Sequence, residues 1–200
     1  QKGPEFSLRM AVAQIQKGSL SIPLSRLDFT LGAAGDGWRG QGTFRLVDDN
    51  PAELSGSWAA GVLQGRLLLQ ADEPGRLKEQ LLGGPELTLT GGLSLVADFS
   101  VQKEGWRAQL ELNGRNLAYQ DNRLRRLNVQ GQLSDGERGR LALNAERIRA
   151  GETDLGALRI NAEGTAERHQ AELQLQGPLL DLALAFDGGL RGEDWLGRLT

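Results

Sequence analysis

Cysteine is absent from the 200-residue chain, which removes disulfide frameworks, thiolate zinc sites and cysteine nucleophiles together. Histidine occurs once, at His169, so a paired-histidine metal site is excluded and any Ser-His-Asp triad would have to use that one ring. A cationic excess is missing too: 23 Lys and Arg face 26 Asp and Glu, for a net charge of -3. Binding to nucleic acid rests on neutralising phosphates, so no nucleic-acid partner is expected. No apolar run approaches the ~18 residues of a membrane span, and the opening QKGPEF lacks the basic and apolar regions of a signal peptide. Any anchor or export signal is expected outside this chain. Residues 1–6 contain Gly-Pro-Glu-Phe, a common cloning remnant, and receive no functional weight. Aromatic residues make up only 5%, and Val plus Ile number ten against 37 Leu.

Glycine, by contrast, is abundant at 28 residues. Each glycine would cost ~1 kcal/mol in a helix interior, which sets this spread of glycines against the helix preference of Leu, Gln, Glu, Arg and Ala. Periodicity decides between them. Apolar residues alternate with polar ones at Leu93, Leu95, Ala97, Phe99 and Val101, and again at Trp106, Ala108, Leu110 and Leu112. The same pattern recurs at Leu127, Val129, Gly131 and Leu133, and at Leu182, Leu184 and Phe186. Alternation of this kind marks half-buried strands. Turn signals such as Gln120-Asp121-Asn122, Asp135-Gly136 and Asp187-Gly188-Gly189 separate the runs. A dozen or more short strands are expected. One short helix is expected near 75–82, after Pro74 and before Gly83, with Leu77, Leu81 and Leu82 on one face.

Sliding the chain against itself by 31 residues reveals a repeat, clearest over 108–177. Asn113 falls on Asn144, Leu117 on Ile148, Leu124 on Leu155, Leu127 on Leu158 and Val129 on Ile160. A third copy starts one residue late, where AQLELNG at Ala108 to Gly114 returns as AELQLQG at Ala171 to Gly177. Repeats of this length stack to bury faces they cannot bury alone. Residues 7–200 therefore read as one elongated repeating segment. A single short helix cannot cover a dozen strands, so the sheet must close or curl on itself. The expected fold class is all-β, an elongated curled sheet with a Leu-lined apolar interior and at most one short helix.

The run x-L-x-L-x-G, the segment HQAELQLQG and the closing LLDLALAFDGGLRGEDWLGRLT resemble the TamB / AsmA-like family. In that pattern a histidine or small residue opens a strand of alternating Leu, here His169, Leu173, Leu175 and Gly177. A tryptophan followed by x-G-x-L closes the next hairpin, here Trp195, Gly197 and Leu199. Echoes start at Trp38 and Trp58, and the likeness is sharpest from about Leu87 to Thr200. The resemblance implies a taco-like trough in the periplasm of a Gram-negative cell, held in the inner membrane by an N-terminal helix absent from this chain. It implies phospholipid passage between the membranes, a part in outer-membrane biogenesis, and a TamA-like outer-membrane partner of the Omp85 group. The chain looks like an interior or C-terminal segment of such a protein.

The expected groove is lined by Leu87, Leu89, Leu93, Leu95, Phe99, Leu110, Leu112, Leu127, Val129, Leu141, Leu143, Leu158, Ile160, Leu173, Leu175, Leu182, Leu184 and Phe186, with phospholipid acyl chains as occupants. No catalytic residue, metal ligand or cofactor is nominated, and the chain is expected not to be an enzyme. The carboxylate pairs Asp48-Asp49, Asp135-Glu137 and Glu193-Asp194 could serve glycoside hydrolysis, but they sit in turns and read as solvated. No G-x-x-x-x-G-K-[ST] or strand-linked G-x-G-x-x-G supports nucleotide binding. Arg123, Arg125 and Arg126 could touch lipid head groups at a groove edge, although alternation sends Arg125 to the face opposite Leu124 and Arg126 and favours a solvated strand. The tryptophans, one per segment at strand starts, suit hairpin plugs better than a sugar-stacking face. Two other functions compete: an assembly factor that pairs its sheet edges with outer-membrane protein clients, and a β-solenoid acting on polysaccharide. The solenoid reading requires a shorter coil and aligned Asx ladders, which the repeat lacks.

Overall fold

The computed structural model describes residues 5–10, 15–17, 20–22, 24–46, 50–72, 74–75, 88–135, 138–165, 167–191 and 194–200. The alternating segments form strands: β1 (Glu5–Met10), β2 (Ile15–Lys17), β3 (Leu20–Ile22), β4 (Leu24–Ala34), β5 (Gly37–Leu46), β6 (Asn50–Ala59), β7 (Val62–Ala71) and β8 (Leu89–Gln102). They continue as β9 (Gly105–Tyr119), β10 (Asn122–Ser134), β11 (Arg138–Ala150), β12 (Thr153–Gly164), β13 (His169–Gln176), β14 (Asp181–Arg191) and β15 (Asp194–Leu199). β2 and β3 pair with each other, and the remainder build one 13-stranded sheet in the order β1, then β4 through β15. Every pairing in it is antiparallel. Two-residue turns dictate this order at β4–β5, β6–β7, β8–β9, β9–β10 and β11–β12, since such a connection can only return the chain beside the strand it left, whereas β7 and β8 pair across a 17-residue connection. Ala60 and Gly61 show the mechanism, with φ of 49° and 75°, the mirror-image turn whose twist matches that of the strands.

The sheet does not close, and β1 and β15 stand at the two ends of its order. It exposes 14257 Å², where a compact protein of 21.6 kDa would expose about 9,000 Å². Among the described residues Ala52, Ala71, Leu117 and Ala145 are buried, as is Pro74, and no large side chain is fully buried. This is a single curled layer with an apolar side and a polar side. The parallel coil of a β-solenoid is not what the chain forms.

Five neighbouring strands kink along one transverse line. Gly91 in β8, Asn116 in β9, Arg147 in β11 and Gly156 in β12 have φ of 111°, 50°, 54° and 79°. Between them, Arg125 of β10 has no ladder partner on either side, although Leu124 and Arg126 do. The register shifts at Thr90/Gly92 and at Glu146/Ile148. Bulges of this kind bend a sheet and sharpen its twist. This line also reverses the phase of the alternation. Leu117, three residues after Gly114, lies with Cδ1 2.7 Å from where a Cβ on Gly114 would stand, so the two share a face. Asn116 and Arg147 are one 31-residue repeat apart, so the kink is part of the repeating unit.

Several expectations are corrected here. The kink places Leu124, opposite Leu117, on the apolar side while Arg126 is on the polar side, so strict alternation fails between them. Arg125 joins Arg126 around one polar concavity instead of facing away from it. The third repeat copy keeps its face but slips along the strand. Leu141 stands opposite Ala162 and that residue opposite Ala171, so Leu173 falls in the row of Leu143. Glu5 and Phe6 begin β1, opposite Gly32 and Leu31. Of the helix expected near 75–82, only Pro74 and Gly75 are described, both with helical backbone; the rest lies outside the described residues.

Candidate functional site

In an antiparallel ladder directly opposed residues point to the same side, so the register converts the alternating Leu into rows that cross the sheet. One row runs Ala52, Leu69, Leu95, Leu112, Val129, Leu143, Ile160, Leu173 and Leu184 over nine strands. Beside it run Leu67, Ala97, Leu110, Gly131, Leu141, Ala162, Ala171 and Phe186 on one flank. On the other flank are Ala71, Leu93, Gly114, Leu127, Ala145, Leu158, Leu175 and Leu182. The result is a continuous apolar strip perpendicular to the strands, bounded by the turns on either side.

The central row is large almost throughout, while in the flanking rows small residues alternate with large ones from β7 to β12, and large ones lean over the small. Leu110 lies 3.0 Å from the Cβ position of Gly131, and the Phe99 ring fills the space above Gly65. Leaning in this way lets neighbouring strands tilt toward the apolar side without their side chains colliding. Even so the strip stays open: Leu110, Leu133 and Leu141 are 43%, 43% and 42% exposed. At its β5–β8 end, Trp38, Leu54, Trp58, Leu63 and Phe99 wall a pocket of about 200 Å³ floored by Gly40 and Gly56.

The opposite side is polar. Gln109, Glu111, Gln174 and Gln176 are all exposed there. Arg66 pairs with Asp98 at 3.6 Å, Arg126 with Glu146 at 3.5 Å and Arg140 with Glu163 at 3.2 Å; such solvated pairs each contribute ~0–1 kcal/mol. Asn113, Asn128 and Asn144 stand side by side across β9, β10 and β11, with Asn128 Nδ2 donating to Asn113 Oδ1 at 2.8 Å. No aligned Asx ladder is expected from the repeat alone, yet these three asparagines align, because the 31-residue repeat and the hairpin register coincide at Asn113 and Asn144.

Every groove residue nominated from the sequence between Leu89 and Phe186 falls on the apolar side, and Leu87 lies outside the described residues. The nomination missed Leu54, Leu67 and Leu69 of β6 and β7, which continue the same rows, and Leu63, which lies further along the same side opposite Trp58 and Val101. The run Leu67-Leu68-Leu69 hides the phase of that strand, although Leu63 and Leu67 two pairs apart were a usable signal. Leu117, Leu124 and Ile148 were also missed as lining, because the kink that turns them inward reverses the alternation.

The remaining candidates are dispersed. His169 opens β13 on the apolar side, its ring stacked on Phe186 with centroids 6.1 Å apart and its Nδ1 3.3 Å from the Thr165 carbonyl oxygen. Asp135 Oδ1 accepts the Trp106 backbone N–H at 3.0 Å and its own N–H donates to the Trp106 carbonyl, which extends the β9–β10 ladder by one residue; Glu137, Asp48, Asp49 and Glu193 lie outside the described residues. Trp38 and Trp106 do start strands, but Trp58 ends β6 and faces Trp38 across the ladder. No group of three or more His, Asp or Glu able to hold a metal occurs among the described residues. No helix among them is long and apolar enough to cross a membrane.

A family model described as "TamB, N-terminal domain" matches residues 101–200, the half of the chain that holds the kinked repeats. The chain belongs to the TamB family. That is a family of cell-envelope proteins, and the open, curled all-β sheet described above is the TamB-like fold expected from the sequence. The texture of the sequence suggests an interior or C-terminal segment, whereas the matching TamB model is of an N-terminal domain. Neither the search of curated proteins nor that of solved structures returned a match.

Proposed function

We propose that the apolar strip of this TamB family chain is a groove that shields phospholipid acyl chains, as part of a periplasmic protein that carries phospholipid between the inner and outer membranes and serves outer-membrane biogenesis. The observation that carries this reading is the exposure of a row-ordered Leu strip on a sheet with no described element covering it. Leaving such a strip in water is unfavourable, and each methylene buried against it gains ~0.8 kcal/mol. A chain of ~16 carbons thus has on the order of 10 kcal/mol available before ordering and desolvation costs. Hydrophobic contact is non-directional, so sliding from one row to the next changes little in energy. The groove acts by burial and requires no catalytic residue. In the whole protein its outer-membrane partner is an Omp85-type protein resembling TamA.

A photoreactive amino acid at Leu112 tests the reading against the same probe at Glu111, one residue away on the polar side. Phospholipid adducts are expected at Leu112 and not at Glu111. Equal adducts at both positions, or none at Leu112, would defeat it. A second reading, pairing of client strands with the sheet edges, draws on the open ends at β1 and β15; it places adducts of client protein along β15 and leaves Leu112 unlabelled.

A further inference from the structure

The line of kinks carries a second feature that the acyl groove does not use. Arg115, Arg123, Arg125, Arg126, Arg147 and Arg149 lie within the rim-proximal parts of three adjacent strands, β9, β10 and β11. Two pairs oppose each other directly across the ladder, Arg115 with Arg126 and Arg123 with Arg149, although like charges in such positions repel. Among the described residues Arg126 alone of the six makes an ion pair, with Glu146. Asp154 stands opposite Arg149, but its Oδ1 accepts the Gly156 backbone N–H at 2.9 Å. Arg147 moreover holds a left-handed backbone in mid-strand, a conformation that glycine or asparagine adopts more readily and that tends to persist at functional positions. A chain of net charge -3 therefore concentrates repelling, mostly unpaired cations at one place.

That place is one rim of the groove. Arg123 is two residues from the turn at Gln120–Asp121, and Arg149 two residues from the turn at Gly151–Glu152. On the other side of the same strand segments lie Leu117, Leu124 and Ile148 in a single apolar row. Their arginine neighbours have long stems that can run past the turns and present guanidinium groups at the mouth. Guanidinium groups match phosphate oxygens in a bidentate fork. Acidic residues accompany both rims, Asp121, Glu146, Glu152 and Asp154 here and Glu104, Asp135 and Glu167 among Lys103, Arg107, Arg138 and Arg168 opposite; what sets this rim apart within β9–β11 is that arginines face arginines across the ladder, whereas Arg107 and Arg138 at the opposite rim both face Ser134. We infer that the arginines of β9–β11, led by Arg123 and Arg149, hold the phosphate of an anionic phospholipid whose acyl chains lie in the adjoining groove, so that lipids enter with head groups at this rim. The inference rests on the groove reading and adds the head-group class and the orientation.

The test loads the purified chain from vesicles of phosphatidylglycerol and phosphatidylcholine in equal amounts and measures both bound lipids by mass spectrometry. The wild-type chain is expected to carry at least threefold more phosphatidylglycerol. The Arg123→Gln/Arg149→Gln double variant should lose that preference, the Lys versions of both should retain part of it, and Arg107→Gln at the far rim should leave it intact. Glycerol 3-phosphate, which carries the phosphate without chains, should not saturate the site at concentrations where the lipid does; saturation by it would mark a free-anion site and overturn the inference. Equal uptake of both lipids by the wild type, or an unchanged preference in the double variant, would overturn it while leaving the groove standing. Uptake of neither lipid would overturn the groove itself and the inference with it.

Discussion

Leu110 illustrates how a single residue separates an open groove from an ordinary core. Its side chain leans over Gly131 yet remains 43% exposed. Truncating a fully buried Leu costs about 2–5 kcal/mol; with about half the burial and room to relax into water, Leu110→Ala should cost about 1 kcal/mol. In a chain of this size that is a melting-temperature drop of about 2–4 °C, and a drop beyond 10 °C in a thermal melt would indicate a sealed interior instead. Leu173 makes the same point through charge. An unpaired buried charge costs several kcal/mol, comparable to the whole stability of a domain. On an open face the arginine of Leu173→Arg can carry its head to water, so the variant should melt cooperatively near the wild-type temperature while losing phospholipid crosslinking. Gln174→Arg, on the polar side, should change neither. Loss of cooperative folding in Leu173→Arg would contradict the open groove.

At the scale of the element, the kinks determine which residues line the groove. Gly156 has φ of 79°, and a Cβ there would run into the Gln176 carbonyl and the Gly177 backbone. Gly156→Ala should therefore destabilise by about 1–3 kcal/mol. Gly92, beside the kink in β8, has open space where its Cβ would be, and Gly92→Ala should be neutral or gain about 0.4–1 kcal/mol by restricting the unfolded chain. Denaturant melts of the pair check this, and equal effects would show that the kink geometry is not what constrains Gly156. The kinks also mark where the sequence stops being legible. Alternation from Leu93 to Val101 and from Trp106 to Leu112 placed those residues correctly, because period two is a direct property of the strand. It could not place Leu124 against Arg126, since a left-handed Asn116 or Arg147 leaves no compositional trace of the kind a glycine leaves. The repeat spacing recorded the kink, yet the slip of two residues at β13 depends on the Thr165–Arg168 connection being longer than a two-residue turn, which the matching AELQLQG does not reveal.

At the scale of the whole molecule, one layer of sheet presents a Leu strip across many strands and exposes half again the surface of a compact protein of its mass. The dozen or more strands and, away from the kinks, the apolar side were legible, because each follows from local alternation; the order of the strands was not, since the same alternation fits several ways of pairing them. What no local signal carries is whether the two ends of the sheet meet, since closure depends on twist and curl accumulated over thirteen strands. The openness of the groove is thus the central claim, and it has a direct readout. Native mass spectrometry of the chain, purified from a Gram-negative host in gentle detergent and then released from it, should show added masses of whole phospholipids that disappear in Leu112→Arg. A spectrum of the bare chain alone, under conditions that preserve lipid on a known lipid-binding control, would contradict the account.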